Sequence, residues 1–144
     1  AVLRSVNCFK VNIFEKDYDN LHVYATLPKK IGTYHILSDV IAYIKSMDDI
    51  RIASAEAFME GNKIQDLVDV FNTSSSSPQD CFTKMGCGCG LMFDRPNPSR
   101  LYEVTDARHR LVAYGIATNM NPHHFPIPMY WGTYKSLSEI TDVM

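Results

Sequence analysis

Three cysteines near the middle of the chain and two histidines further on carry side chains suited to binding a metal. Cys81, Cys87 and Cys89 precede His123 and His124, and thiolate and imidazole groups together form tetrahedral zinc sites. The paired cysteines of structural zinc sites are usually separated by about two to four residues. Here five residues separate the first two cysteines and one separates the next two. The spacing favours cysteines that behave as small hydrophobic side chains and no metal site.

The other histidines and the paired acids form no pattern that is typical of an active site. His22 falls in a predicted strand, His35 in the first turn of a predicted helix and His109 near the end of a second one. A single histidine with no nucleophile or acid in a fixed pattern around it is more often structural. Asp48 and Asp49 adjoin, but consecutive side chains in a turn point apart. We therefore predict a protein that is not an enzyme and uses no cofactor.

The composition is that of one domain without a strong charge. The chain has 144 residues, 46% of them hydrophobic, and a net charge of -2, so it is long enough to bury one core. No basic surface for nucleic acid is expected. The longest apolar or small stretch, residues 111–117, is far shorter than the roughly 20 residues of a membrane-spanning helix. We expect neither a nucleic-acid partner nor a membrane span.

The first residue and the cysteine content bear on the compartment. Ala1 is not methionine, which fits a trimmed chain or a mature form left after a targeting segment is removed. Four cysteines are too few and too unevenly spaced for a small secreted disulfide scaffold. We expect an intracellular protein, with the chloroplast or another organelle as a candidate compartment after removal of a transit peptide.

The alternation and the helical spacing of apolar residues predict the first strands and the first helix. Residues 9–13 alternate and residues 21–26 are rich in β-branched and aromatic types, so the two are predicted to form a hairpin. A loop over 27–32 follows, and Thr33 is a plausible cap for a helix. The apolar stripe of this helix comprises Ile36, Leu37, Val40, Ile41 and Ile44.

Two more strands and a long loop are predicted next. Residues 50–59 and 64–72 flank a glycine-containing turn and are interpreted as a second hairpin. Residues 73–97 are rich in Ser, Cys and Gly and are predicted to be an inserted loop. The predicted core comprises Leu21, Val23, Ile36, Leu37, Val40, Ile41, Ile44, Ile52, Val68 and Val70.

The last third of the chain leaves an alternative open. A second helix is predicted after Pro98, followed by a closing strand at 111–117. The alternative is a hairpin in which residues 101–105 pair with 111–117. Residues 119–144 are rich in proline and are predicted to be an extended tail outside the core, closed by a short helix from Ser136.

The order of several weak features in the first half resembles one known family. The strand at 21–26, Gly32 in the loop, the Ile-Ala-Ser-Ala run at 52–55 and the Asp-Val-Phe run at 69–71 occur in the order found in ACT domains. Residues 9–73 thus resemble the ACT domains of plant ACT-repeat proteins and bacterial nitrogen-sensing uridylyltransferases. The resemblance implies an α+β, ferredoxin-like βαββαβ fold with an extra N-terminal strand, an inserted Ser/Cys-rich loop and an extended C-terminal tail.

The same resemblance implies an ACT-like domain over residues 1–118 and a ligand site in its first loop. ACT domains are regulatory or binding modules, often for amino acids, so an amino-acid-like ligand is implied. The matching positions are Lys29, Lys30, Ile31, Gly32 and Thr33. The family has Asp, Arg and Pro where this chain has Lys, Lys and Ile. Because the acidic group that would hold an ammonium is missing, we expect weak or no binding of common amino acids.

Aromatic residues between the prolines of the tail predict a docking surface. Phe125, Tyr130 and Trp131 would supply rigid contact area on an extended backbone that loses little entropy on binding. The alternative is that the tail folds back over the chain's own sheet.

The function predicted from these patterns is a non-catalytic ACT-like regulatory or protein-interaction module. It would assemble with a protein partner or a second copy through the sheet and the tail. Two alternatives are an accessory or linker subunit of a larger organellar complex, photosynthetic or respiratory, that has lost ligand binding, and an enzyme of unrecognised type.

Overall fold

The computed structural model describes residues 3–86, 88–93 and 102–136, and these form six strands and five α-helices. The strands are β1 (Leu3–Ile13), β2 (His22–Leu27), β3 (Lys30–Ile36), β4 (Gly88–Phe93), β5 (Tyr102–Asp106) and β6 (Ile127–Ser136). The helices are α1 (Leu37–Ser46), α2 (Ile50–Phe58), α3 (Gly61–Thr73), α4 (Pro78–Lys84) and α5 (Arg108–Thr118). Two short 3₁₀ helices span Glu15–Asp19 and Pro122–His124. Among the residues described, no helix is long and apolar enough to cross a membrane.

The six strands belong to one mixed sheet in the order β1-β6-β4-β5-β2-β3. Neighbours run antiparallel at β1–β6, β4–β5 and β2–β3 and parallel at β6–β4 and β5–β2. The structure is thus consistent with the predicted α+β class. The strand order differs from the ferredoxin-like arrangement, because β6 lies between β1 and β4 and because two predicted strands are helices.

The core lies between the sheet and the helices. α1, α2 and α4 contact the sheet, and α3 and α5 pack against each other and against their neighbouring helices. β2 has one buried and one open face, since Val23 and Ala25 are buried while Tyr24 is exposed. This alternation is typical of a strand that is covered on one side.

Helix α1 confirms the most regular apolar pattern in the sequence. Leu37, Val40, Ile41 and Ile44 of the predicted stripe are buried in the core. The helix begins at Leu37, and not at Thr33, because residues 33–36 pair with β2 as part of β3.

The predicted hairpin between residues 9–13 and 21–26 is wrong, although both segments are strands. β1 pairs with β6, and β2 pairs with β3 and β5. The polar link between them is a 3₁₀ helix, and its Tyr18 is buried and donates a hydrogen bond to the carbonyl of Leu111, 2.9 Å away. Because Tyr18 is held against α5, the segment between β1 and β2 is not a simple turn between paired strands.

The two strands predicted over 50–59 and 64–72 are wrong, because both segments are helical. Asp49 caps α2 by accepting a hydrogen bond from the Arg51 amide at 2.8 Å. Ile64, Val68 and Phe71 of α3 are buried at helical spacing. For the same reason, two members of the predicted core face solvent: Ile52 is 54% and Val70 is 44% exposed.

The predicted loop over 73–97 contains a helix and a strand in its described part. The Ser77 hydroxyl accepts a hydrogen bond from the Asp80 amide at 3.2 Å, and Pro78 begins α4. Serine as a cap and proline in the first turn are a common helix start. β4 then pairs with both β5 and β6.

The order predicted for residues 98–117 is reversed. β5 stands where a helix was expected and α5 replaces the expected closing strand, so the alternative hairpin is wrong as well. Residues 111–115 of α5 are all buried. A helix that is apolar on all sides at its centre shows no amphipathic period.

The tail is part of the sheet over its described residues, so the expectation that it lies outside the core is not met. Ile127, Met129 and Trp131 alternate along β6 and are at most 3% exposed. Pro128 is tolerated near the start of the strand, because the pairing of β6 with β4 begins one residue later at Met129. The predicted terminal helix beyond Ser136 lies outside the described residues.

Candidate ligand-binding site

The residues predicted to bind a ligand lie in and after the turn between β2 and β3. Residues 29–32 are exposed. Gly32 has a φ of +57°, and its amide donates to the Thr26 hydroxyl at 2.9 Å. The glycine is therefore required by the bulged hairpin and does not precede a helix. No helix start adjoins Gly32, because the next helix begins at Leu37. Ligand binding by these residues stays a prediction.

The cysteines considered as metal ligands are not brought together in the described part of the chain. Cys81 is buried in α4, Cys89 is exposed in β4, and Cys87 lies outside the described residues. Within the ranges that the structure describes, no group of three or more His, Cys, Asp or Glu side chains could hold a metal ion.

A cleft at the start of α5 collects charged side chains from three elements, α3, β5 and α5. Its volume is about 570 Å³, and it is lined by residues 103–110 together with Tyr24 and Lys63. β5 and β2 run parallel, so their carboxyl ends lie at the same edge of the sheet. Ligands of open α/β sheets commonly bind in a crevice outside the carboxyl ends of the strands.

The one-residue connection between β5 and α5 lines this cleft. Ala107 joins β5 to α5 with a φ of +76°, a left-handed conformation that is uncommon for a residue other than glycine. Its amide donates to the Asp106 side chain at 2.9 Å, and its carbonyl accepts the first helical hydrogen bond from Leu111. No side chain caps the start of α5, which leaves the partial positive charge of the helix N-terminus available to the cleft.

Arg108 is the cation that α5 presents beside the cleft. Its guanidinium lies 5.4 Å from the centre of the Phe58 ring, and its Nη1 donates to the carbonyl of Tyr24 at 3.3 Å. Within the described part of the chain, Arg108 forms no ion pair with a carboxylate. Lys63 of α3 adds a second cation, whose Nζ lies 3.9 Å from Glu60.

His109 lies beneath these cations and stays neutral at pH 7. Its side chain is 12% exposed and its ring meets the ring of Phe58 edge to face at 5.0 Å. Burial lowers the pKa of His109 to about 4, with the charges of Lys63 and Arg108 acting in the same direction and Glu60 opposing them. Nε2 is 3.3 Å from Glu60 Oε2 but lacks the alignment of a hydrogen bond, and no described group pairs with it otherwise.

The lining that comes from β5 is acidic, and both of its acids have partners within the chain. The Tyr34 hydroxyl donates to Glu103 Oε1 at 2.6 Å. Asp106 lies 3.9 Å from Arg110, whose guanidinium also donates to the carbonyls of Met85 and Gly86. Arg110 is thus occupied by protein groups, whereas Arg108 retains donors for a ligand.

Sequence reasoning missed this cleft because its charges look scattered. Lys63 is far from Arg108 along the chain, and His109 was expected to be a structural histidine near the end of a helix. The Arg-His-Arg run at 108–110 lies at a helix start instead. That run would have been a signal if the boundary between β5 and α5 had been predicted.

The predicted docking residues are divided between the core and the surface. Phe125 and Trp131 are 7% and 3% exposed, and Phe125 packs edge to face on Tyr18 and Tyr114. Tyr130 points to the open side of the sheet and is 41% exposed. Docking of a partner by these residues stays a prediction, although two of the three are already covered within the chain.

Neither a scan against protein-family models nor searches among curated proteins and solved structures found a match to this chain.

Proposed function

We propose that the chain is a non-catalytic binding module that holds the oxyanion group of a small molecule in the cleft at the start of α5. The observation that carries this proposal is the Arg108 guanidinium, which lines the cleft without a carboxylate partner among the described residues. A guanidinium with free donors suits a carboxylate or a phosphate, because it can form two charge-assisted hydrogen bonds at once.

Two further features support an anionic ligand group. The uncapped start of α5 adds backbone donors and a partial positive charge next to Arg108. Lys63 adds a full positive charge from α3. The bound anion would also offset the cost of placing these cations close together.

The acidic wall favours a ligand that carries donors as well. Glu103 and Asp106 line the side of the cleft that comes from β5, and carboxylates accept hydrogen bonds from hydroxyl or amino groups. A small molecule with an oxyanion at one end and a hydroxyl or ammonium group at the other fits this division of charge.

Hydrogen bonding of the nearby hydroxyls favours binding over nucleophilic catalysis. The Thr105 hydroxyl donates to the Cys89 carbonyl at 3.1 Å, and the Tyr34 hydroxyl donates to Glu103. Neither is paired with His109, whereas an activated nucleophile needs a base within hydrogen-bonding distance. The regulatory role, the ACT resemblance and the organellar compartment stay predictions.

Sulfate titration tests the proposal. Sulfate serves as a probe oxyanion whose charge is constant near neutral pH, and the amide signals of residues 108–110 report binding by NMR at constant ionic strength. We expect saturable shifts and about tenfold weaker binding for Arg108→Gln. Arg51→Gln, which removes an exposed arginine of α2 away from the cleft, should leave the dissociation constant unchanged. Shifts that do not saturate, or equal weakening by both variants, would contradict the proposal.

A further inference from the structure

A second cleft, of about 530 Å³, lies beside β1 and β6 and differs chemically from the first. Its apolar lining includes Phe9, Val11, Tyr102 and Trp131, and its polar lining includes Asp17 and Asn20. Phe9 is 43% exposed, so its ring is open to a ligand.

The apolar part is built by strand register and by one glycine. Phe9 stands opposite Trp131 in the β1–β6 ladder, and Gly90 stands opposite Trp131 in the β4–β6 ladder. A Cβ atom at Gly90 would lie 2.5 Å from Cη2 of the indole, so only glycine lets the ring lie over β4. Tyr102 meets the indole edge to face at 6.4 Å. The result is an aromatic cluster whose rings are held in fixed orientations.

The indole of Trp131 carries a donor without an acceptor. The residue is 3% exposed, and its Nε1 has no hydrogen-bond partner among the described residues. A buried donor that is left unpaired destabilises the structure. Because Nε1 is not accessible from the surface, this donor is not a contact for a bound molecule, but its NMR signal reports changes around the ring.

Asp17 gives the described lining of the cleft a negative charge. One oxygen of the Asp17 carboxylate accepts a hydrogen bond from the Phe14 amide at 2.7 Å. The lining contains no lysine, arginine or histidine among the described residues. Charge complementarity therefore favours a cationic or neutral head group over an anionic one.

We infer that this cleft is a second binding site, for a small fused aromatic molecule that carries an amino group. The exposed Phe9 ring contacts the aromatic ring of the ligand, and Asp17 pairs with its ammonium. The site is separate from the oxyanion cleft and does not depend on it.

The single tryptophan of the chain makes the test specific. A matched pair of probes, 6-(aminomethyl)quinoline and quinoline-6-carboxylate, is titrated into ¹⁵N-labelled protein while the Trp131 indole N–H signal is followed. The amine should shift this signal saturably. The carboxylate should bind about tenfold more weakly because of Asp17, and Asp17→Asn should remove most of that difference.

Phe9 in β1 and Phe14, the residue after β1, provide a variant and its control. Phe9 and Phe14 are 43% and 47% exposed, but only Phe9 lines the cleft. Phe9→Ala should weaken the amine about tenfold through lost ring contact, whereas Phe14→Ala and Arg108→Gln should leave it unchanged. The inference is overturned if the indole signal does not respond saturably, if both phenylalanine variants act alike, or if the two probes bind equally well.

Discussion

Both clefts are lined by residues of β5, but one is lined mainly by consecutive residues and the other by residues that are distant in sequence. Tyr102 lines the apolar cleft, while the next four residues line the charged one. The charged cleft is lined mainly by residues 103–110, which are consecutive in sequence. The apolar cleft joins β1, β5 and β6, and its main wall, Trp131, is also part of the core. We therefore expect substitutions in the apolar cleft to cost stability and substitutions in the charged cleft to cost binding.

Removing the Trp131 side chain, which belongs to both the apolar cleft and the core, should give the largest loss of stability. Trp131→Ala should lower the free energy of unfolding by about 3 to 5 kcal/mol, because a buried ring is lost and a cavity remains. Tyr130→Ala, next to it and 41% exposed, should cost less than about 1 kcal/mol. Urea denaturation followed by circular dichroism measures both. Similar values for the two variants would show that the indole is not part of the core.

The glycines of β4 test whether each cleft has its own support. Gly90→Ala would place its Cβ within 2.7 Å of three atoms of the Trp131 ring, and we expect a loss of about 1 to 3 kcal/mol from overpacking. Gly88→Ala would instead contact the Ala107 Cβ at 2.7 Å, below the charged cleft. Gly90→Ala should shift the NMR signal of the Trp131 indole N–H, and Gly88→Ala should shift the NMR signal of the Arg108 amide. The same response in both variants would mean that the clefts are not supported separately.

Acid should weaken the fold through His109. The folded-state pKa of about 4 lies below the usual value of 6.5, so its contribution to stability is complete above pH 6.5 and is lost as the pH falls towards 4. Because the cleft is open to solvent, we expect a loss of about 1 to 2 kcal/mol, below the full value for such a shift. His109→Gln should reduce the dependence of the unfolding free energy on pH in this window. An unchanged slope would contradict the burial of the neutral imidazole.

The smallest effect on stability is expected at the residue that matters most for binding. Arg108→Gln removes a cation–π contact and one hydrogen bond to a carbonyl, together worth about 1 kcal/mol at a partly exposed site. Denaturation should show at most this loss, while sulfate binding falls about tenfold. A decrease in the free energy of unfolding above about 3 kcal/mol would show that Arg108 is needed to stabilise the fold, and the weaker sulfate binding could then not be assigned to the lost contact.

Elements with one buried face could be predicted from the sequence. α1 has its buried residues at i, i+3, i+4 and i+7, from Leu37 to Ile44. α5 could not be recognised, since five consecutive residues at its centre are buried and its apolar pattern has no period. In α3 the spacing of Ile64, Val68 and Phe71 indicates a helix, but the adjacent Gly61 also favours a hairpin turn.

The clefts themselves depend on long-range pairing, which a single sequence does not reveal. The apolar cleft needs β6 between β1 and β4, so that Phe9 and Gly90 flank Trp131. The alternation of Ile127, Met129 and Trp131 was a usable signal, although the prolines around it favoured an extended tail. The charged cleft needs the left-handed Ala107, and alanine gives no sequence signal for that conformation.

The most direct test of the oxyanion cleft is the pKa of His109 with and without a bound anion. The imidazole is titrated by NMR in sodium sulfate and in sodium chloride at equal ionic strength. Sulfate held by Arg108 would bring negative charge next to the imidazole, so the pKa should rise from about 4 by about 1 in sulfate compared with chloride. The same pKa in both salts would contradict the proposed function, because it would show that no anion occupies the cleft beside His109.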